Sequence, residues 1–293
     1  MTTEPCHVND TLSAYGITPS MIISFYVLTG IIGFTANIVI IYVMCANRLE
    51  RSAHDIYFIY MVCTDLSIII TIPIWVYYLT NQDKIYGWEC SLLSFTFYVP
   101  LFLYPYFIIA IAIEHHRTLI LDKPVSVKTA NISFVIIFII VILISLPYCI
   151  FRQTSGFHSC IFGNNTWNVS APARTVMGIT INAFTYALPA SVALFYSIRI
   201  YSTRRGSKKR NKRASFYIDV MTVTMLSFNG LINLTIFKNM VAGYSQNNSD
   251  CDYIKREHFF GMMGITLVFF RAAISPIICM YVNRKMFKNL CEL

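Results

Sequence analysis

Four consecutive residues, Glu114-His115-His116-Arg117, set a carboxylate, two imidazoles and a guanidinium side by side. Neighbours on a helix point apart, so the run is a poor chelating set for zinc, and no positioned nucleophile or base accompanies it. What it offers is charge that changes near neutral pH, because imidazole titrates there. Two other ionisable residues, Asp65 and Arg271, lie inside long apolar stretches. An ionised side chain in such a place is costly and calls for a polar cavity, a ligand or an opposite charge. Arg271 in particular needs a carboxylate, water or ligand partner, and linear order does not reveal it. A fourth feature is the basic run from Arg204 and Arg205 to Arg213, suited to anionic lipid or to a signalling protein. It carries no stacking module, which excludes nucleic-acid recognition. No cofactor motif or metal cluster emerges, and the chain reads as a non-enzyme.

The elements that must position these residues follow from composition. Of 293 residues, 56% are hydrophobic and only 13% charged, about half the usual charge content of roughly 25%. That excludes a soluble globule, a disordered chain and a coiled coil. A membrane helix needs about 20 apolar residues, and apolar stretches fall near 20–46, 54–79, 90–114, 131–151, 173–201, 215–240 and 257–282. The expected fold is an all-α bundle of seven transmembrane helices. Internal prolines at 73, 100, 105, 147, 189 and 276 are tolerated where neighbouring helices satisfy the freed carbonyls. The sixth stretch is diluted by Asn229, Asn233, Lys238 and Asn239, which leaves an even count open.

With seven spans and the N-terminus outside, 16 of the 23 Lys and Arg fall in inward segments, the bias expected of cytoplasmic loops. The sequons at Asn9, Asn164, Asn168 and Asn247 then all fall outside, where glycosylation takes place. Residues 1–19 form an extracellular tail, 20–282 the bundle, and 283–293 a short amphipathic cytoplasmic helix and tail. Cys6, Cys90, Cys160 and Cys251 share the oxidising side; four cysteines allow three pairings. Cys45, Cys63, Cys149, Cys279 and Cys291 are expected to be free thiols, most of them packed among the helices. Trp75, Tyr78, Trp88 and Arg271 are candidates for an outer ligand-binding opening, although aromatics there also serve as interface anchors.

Taken together the chain resembles a rhodopsin-like G-protein-coupled receptor. Gly33-Phe34-Thr35-Ala36-Asn37 is similar to the family's Gly-x-x-x-Asn signature, and Thr64-Asp65-Leu66 with Thr71-Ile72-Pro73-Ile74-Trp75 resembles chemokine receptors. The pairs Cys90–Cys160 and Cys6–Cys251 match the chemokine-receptor arrangement. The resemblance implies a polar core of Asn37, Asp65 and Ser275 that binds sodium or water. It also implies a G-protein-facing surface of Glu114, His115, His116, Arg117, Arg204, Arg205 and Asn283.

The departures are specific. Glu114 holds the acidic place of the Asp-Arg-Tyr motif, so His115 and His116 replace Arg and Tyr. Ser275-Pro276-Ile277-Ile278-Cys279 stands for Asn-Pro-x-x-Tyr, and the Trp-x-Pro of span six is missing. Such losses resemble divergent herpesvirus-encoded receptors. The expected function is a cell-surface receptor for a chemokine or other extracellular ligand, coupled to a heterotrimeric G protein and active without ligand. The alternative is a nonsignalling viral membrane protein that binds or downregulates a host immune receptor.

Overall fold

The structure, a computed structural model, describes residues 15–46, 52–80, 88–150, 170–203, 208–241 and 251–282, and these are almost entirely helical with no strand among them. Seven spans are long and apolar enough to cross a bilayer: Pro19–Cys45, Ala53–Tyr77, Ser91–Ile120, Val127–Pro147, Pro172–Ser202, Ser215–Met240 and Lys255–Ile278. The diluted sixth stretch is among them on its mean hydropathy of 1.5, and two of its polar side chains find partners inside the bundle. Asn233 Nδ2 donates to the Asn229 carbonyl at 2.8 Å, and Lys238 pairs with Glu257 of span seven. The odd count therefore stands.

Boundaries shift where local chemistry extends a helix. The third helix runs Trp88–Ile120, past the expected end at 114, so His115 to Arg117 occupy helical turns. The fourth starts at Val127, four residues early, where Ser126 Oγ accepts from the Thr129 N–H at 3.2 Å. Span two opens with a reciprocal cap. Asp55 N–H donates to Ser52 Oγ at 3.3 Å, and Ser52 N–H donates to Asp55 Oδ2 at 2.9 Å. The same span breaks at Thr71, because Pro73 lacks the N–H that would reach the Ile69 carbonyl. The Thr71 N–H serves Ile68 and Ile69 instead.

Span three is the axis of the bundle: 78% of its apolar window is buried, against 17% for span four. Its aromatics Phe97, Tyr98, Phe102, Tyr104 and Phe107 are core, which is what their density along one helix requires. Span four leaves most of its apolar surface for lipid. Small residues set the closest approaches: a Cβ on Gly264 would lie 3.0 Å from the backbone of Ile232, so spans six and seven pack backbone to backbone there.

Span five contains a π segment, Ala183–Ala187, between helices Ala171–Asn182 and Leu188–Ser202. Pro189 lies two residues past the segment and supplies no backbone N–H. Tyr106 of span three donates its hydroxyl to the Phe184 carbonyl inside the segment at 2.9 Å, a repair from a neighbouring helix of the kind membrane spans depend on.

Candidate functional site

Two clusters of polar residues occupy the bundle. In the interior, Asp65 and Arg271 are 1% and 0% exposed, and Arg271 Nη1 lies 2.8 Å from Asp65 Oδ1. The guanidinium carbon sits 3.8 Å from the centroid of the Tyr104 ring, and Tyr104 Oη is 3.2 Å from Ser275 Oγ. One cation thus meets a carboxylate and a ring face, the two partners that best compensate a desolvated guanidinium. Among the described residues, Arg271 Nε and Nη2 have no hydrogen-bond partner.

Asn37 Nδ2 donates to the Gly33 carbonyl at 2.8 Å and across to the Ala272 carbonyl at 3.1 Å. It fastens span one to span seven beside Arg271. Of the expected polar core, then, Asp65 and Ser275 meet around Arg271 and Tyr104, while the Asn37 amide is spent on backbone. The partner that linear order concealed is Asp65.

At the Glu114 end, spans two, three and six meet through rings. Glu114 is 5% exposed and accepts from Thr118 Oγ1 at 2.7 Å. Its other oxygen lies 3.7 Å from His115 Nδ1. The His115 ring centroid is 4.7 Å from that of His54, and His54 Nδ1 lies 3.6 Å from Asp55 Oδ1. Tyr217 of span six closes the group, its ring 5.9 Å from His54 and 6.4 Å from His115. Two acid–imidazole pairs therefore stand ring against ring, one from each helix. His115 is packed into the bundle and does not simply meet water.

His116 turns the other way, to Tyr196 of span five at 5.1 Å. Arg117 is exposed, and its Nε donates to the Lys123 carbonyl at 3.4 Å. The sequence reading missed His54. The signal was present in Ser52-Ala53-His54-Asp55, whose capping pattern begins span two at the level where span three ends.

The remaining candidates separate. Trp75 is 1% exposed, packed against Phe97 and Phe269, because the break at Thr71 turns it inward. Tyr77 and Trp88 are 53% and 72% exposed, as interface anchors would be. Arg271 faces Asp65 in the core. Cys149 is buried, whereas Cys45 and Cys63 are exposed on outward faces of spans one and two, where a thiol is apolar enough for lipid; the Cys279 side chain and Cys291 lie outside the described residues. Cys6, Cys160, Arg204, Arg205, Asn283, Asn9, Asn164, Asn168 and Asn247 lie outside the described residues, as do the side chains of Tyr78, Cys90 and Cys251.

Seven helices long and apolar enough to cross a membrane, around an aromatic third span and a buried ion pair, define a multi-pass membrane bundle. The sequence matches the 7 transmembrane receptor (rhodopsin family) over residues 36–291, and the chain belongs to that family. It is 23% identical over 287 residues to the protein named "Envelope protein US28" in human cytomegalovirus strain Merlin, spanning 98% of this chain and 79% of that one. The same identity and coverage hold for the "G-protein coupled receptor homolog US28" of strain AD169. The C-C chemokine receptor type 3 of Cavia porcellus is 24% identical over 277 residues, 91% of this chain and 76% of that receptor. The chain is thus a chemokine-receptor-like member of a family of receptors.

Proposed function

We propose that the chain works at the plasma membrane with its N-terminus outside, couples to a heterotrimeric G protein, and holds an active population without added ligand. The carrying observation is how spans three and six meet at the Glu114 end. There the rings of His115 and Tyr217 stand edge to face at 6.4 Å, and among the described residues no ion pair joins those two ends. A ring contact contributes about 0.5–1.5 kcal/mol, and 1.4 kcal/mol is a tenfold change in an equilibrium. A ring pair of that size, without an ion pair beside it, favours a populated separated arrangement. The proposed G-protein surface is Arg117, exposed, with the partly exposed His115 and His116 and the buried Glu114 behind them, completed by Arg204, Arg205 and Asn283.

A chemokine-type ligand is supported by the relatives' names. Trp88 and Tyr78 serve as outer contacts, while buried Trp75 and Arg271 relay the change. The pairs Cys90–Cys160 and Cys6–Cys251 tie the outer loops, and Asn9, Asn164, Asn168 and Asn247 carry glycans. The test is ligand-free nucleotide exchange across a Gα panel at matched surface expression, beside a His115→Ala/His116→Ala variant. A basal signal above the empty-cell control is expected, and it should change in the variant, which removes both the His115 ring from Tyr217 and two of the proposed G-protein contacts. A panel equal to the empty-cell control would defeat the coupling proposal and favour downregulation of a host immune receptor.

A further inference from the structure

A cleft of about 350 Å³ runs between spans two, three and four, beside the Glu114 cluster. Its walls change character along their length. Tyr106, Ile109 and Ile113 of span three face Ile136 and Ile137 of span four, and the end nearer the loop is lined by Arg117 and Thr129. From Tyr106 to Arg117 is eleven residues, about 16 Å at 1.5 Å per residue. Apolar surface therefore gives way to a guanidinium and a hydroxyl over roughly half the bilayer's hydrocarbon thickness.

Span four, which forms one wall, is the most lipid-facing of the seven in its apolar window. The occupant available to such a wall is the bilayer itself. The charge at the rim selects among lipids. Arg117, Lys123 and Lys128 are all exposed there, against the single exposed acid Asp122. Glu114 also lines the cleft, but its carboxylate is buried and takes the Thr118 hydroxyl.

We propose that this cleft binds one anionic glycerophospholipid of the cytoplasmic leaflet, its phosphate at Arg117 and Thr129 and one acyl chain along Ile109, Ile113 and Ile137. Basic pockets between membrane helices on that side suit such head groups. Because Glu114 is both a wall of the cleft and the neighbour of His115, occupancy bears directly on the Glu114 end of the bundle; that consequence rests on the coupling proposed above and the leaflet on the proposed orientation, whereas the binding itself rests on neither.

The experiment uses the full-length receptor in nanodiscs of phosphatidylcholine doped with phosphatidylserine carrying a photoreactive diazirine on one acyl chain. After irradiation, labelled peptides are mapped by mass spectrometry. Label is expected to concentrate on residues 106–117 and 129–137, and to be displaced by excess plain phosphatidylserine but not by phosphatidylcholine. Arg117→Gln, an exposed change, should weaken the displaceable component roughly fivefold, the worth of one basic side chain at an anionic surface. Ala110→Phe, which fills the cleft, should remove that component while label at lipid-facing Leu143 is unchanged; its unfolding temperature reports that the bundle is intact. Even labelling of Leu143, Ile31 and the cleft, or equal displacement by both lipids, would overturn the site. A cleft emptied by Ala110→Phe yet indifferent to Arg117→Gln would overturn the anionic assignment. No G protein enters the assay, so a receptor that fails to couple still tests the lipid site.

Discussion

Arg271 and Asp65, one from span seven and one from span two, form an ion pair closed off from every surface of the bundle. A buried pair of this kind contributes little net stability when intact but is costly to break, because the survivor is left as an uncompensated charge. Asp65→Leu or Arg271→Met alone is expected to destabilise the receptor by about 3–5 kcal/mol. Asp65→Leu with Arg271→Met, which removes both charges, should recover most of the loss. Thermal unfolding in detergent, followed with a thiol-reactive dye, reads the cycle; additive losses would show that the two residues are not coupled.

The same pair bears on sodium. Asp65 already holds a cation, so the unfolding temperature of the wild-type chain is expected to be equal in sodium chloride and in choline chloride at one ionic strength. Arg271→Met, with the carboxylate freed, should gain a sodium-specific rise. A sodium-specific rise in the wild type would mean that Arg271 does not fill the counter-ion's place.

Tyr217 supplies span six's side of the contact with His115 and His54. Tyr217→Leu keeps the site apolar and removes the ring pair. Basal nucleotide exchange is expected to rise severalfold, up to about tenfold, from the loss of roughly 0.5–1.5 kcal/mol. Unchanged or lower basal exchange at matched surface expression would assign the contact no restraining role.

Tyr106→Phe deletes the bond to the Phe184 carbonyl and nothing of the ring's packing. Hydrogen bonds between membrane helices average about 0.6 kcal/mol and reach about 1.7, so a small drop in unfolding temperature is expected. Tyr42→Phe, at a site 72% exposed, is the control and should not move it.

Gly264→Val forces a side chain against the Ile232 backbone, which has no rotamer with which to yield. Overpacking of this kind costs about 1–3 kcal/mol. Reduced surface expression and a lower unfolding temperature are the expected results, and wild-type values for both would show that spans six and seven can separate without penalty.

Hydropathy made the seven spans legible because each crosses the bilayer on its own apolar length, a property local to the chain. Span six was the weakest because Asn233 and Lys238 count against it in any local sum, although the Asn233 amide N–H is taken up by the Asn229 carbonyl on the same helix and Lys238 by Glu257 on the next. The need of Arg271 for a partner was also local; the identity of Asp65 was not, since it depends on how spans two and seven pack. His54 escaped for a related reason. Alone it is a polar residue near a helix start, and only the approach of His115 gives it a role.

The π segment Ala183–Ala187 has an effect on span five that outlasts its five residues. One extra residue per turn puts the helix before it and the helix after it about 100° out of phase. Ala171–Asn182 and Leu188–Ser202 therefore do not share a helical wheel, and positions counted outward from Pro189 in steps of 3.6 name the wrong face beyond Ala183. A gap-free alignment with an unbulged relative would carry that error into every outer residue of the span. The half nearer the N-terminal end can thus be re-aimed by a single insertion or deletion while the Tyr196 half keeps its phase.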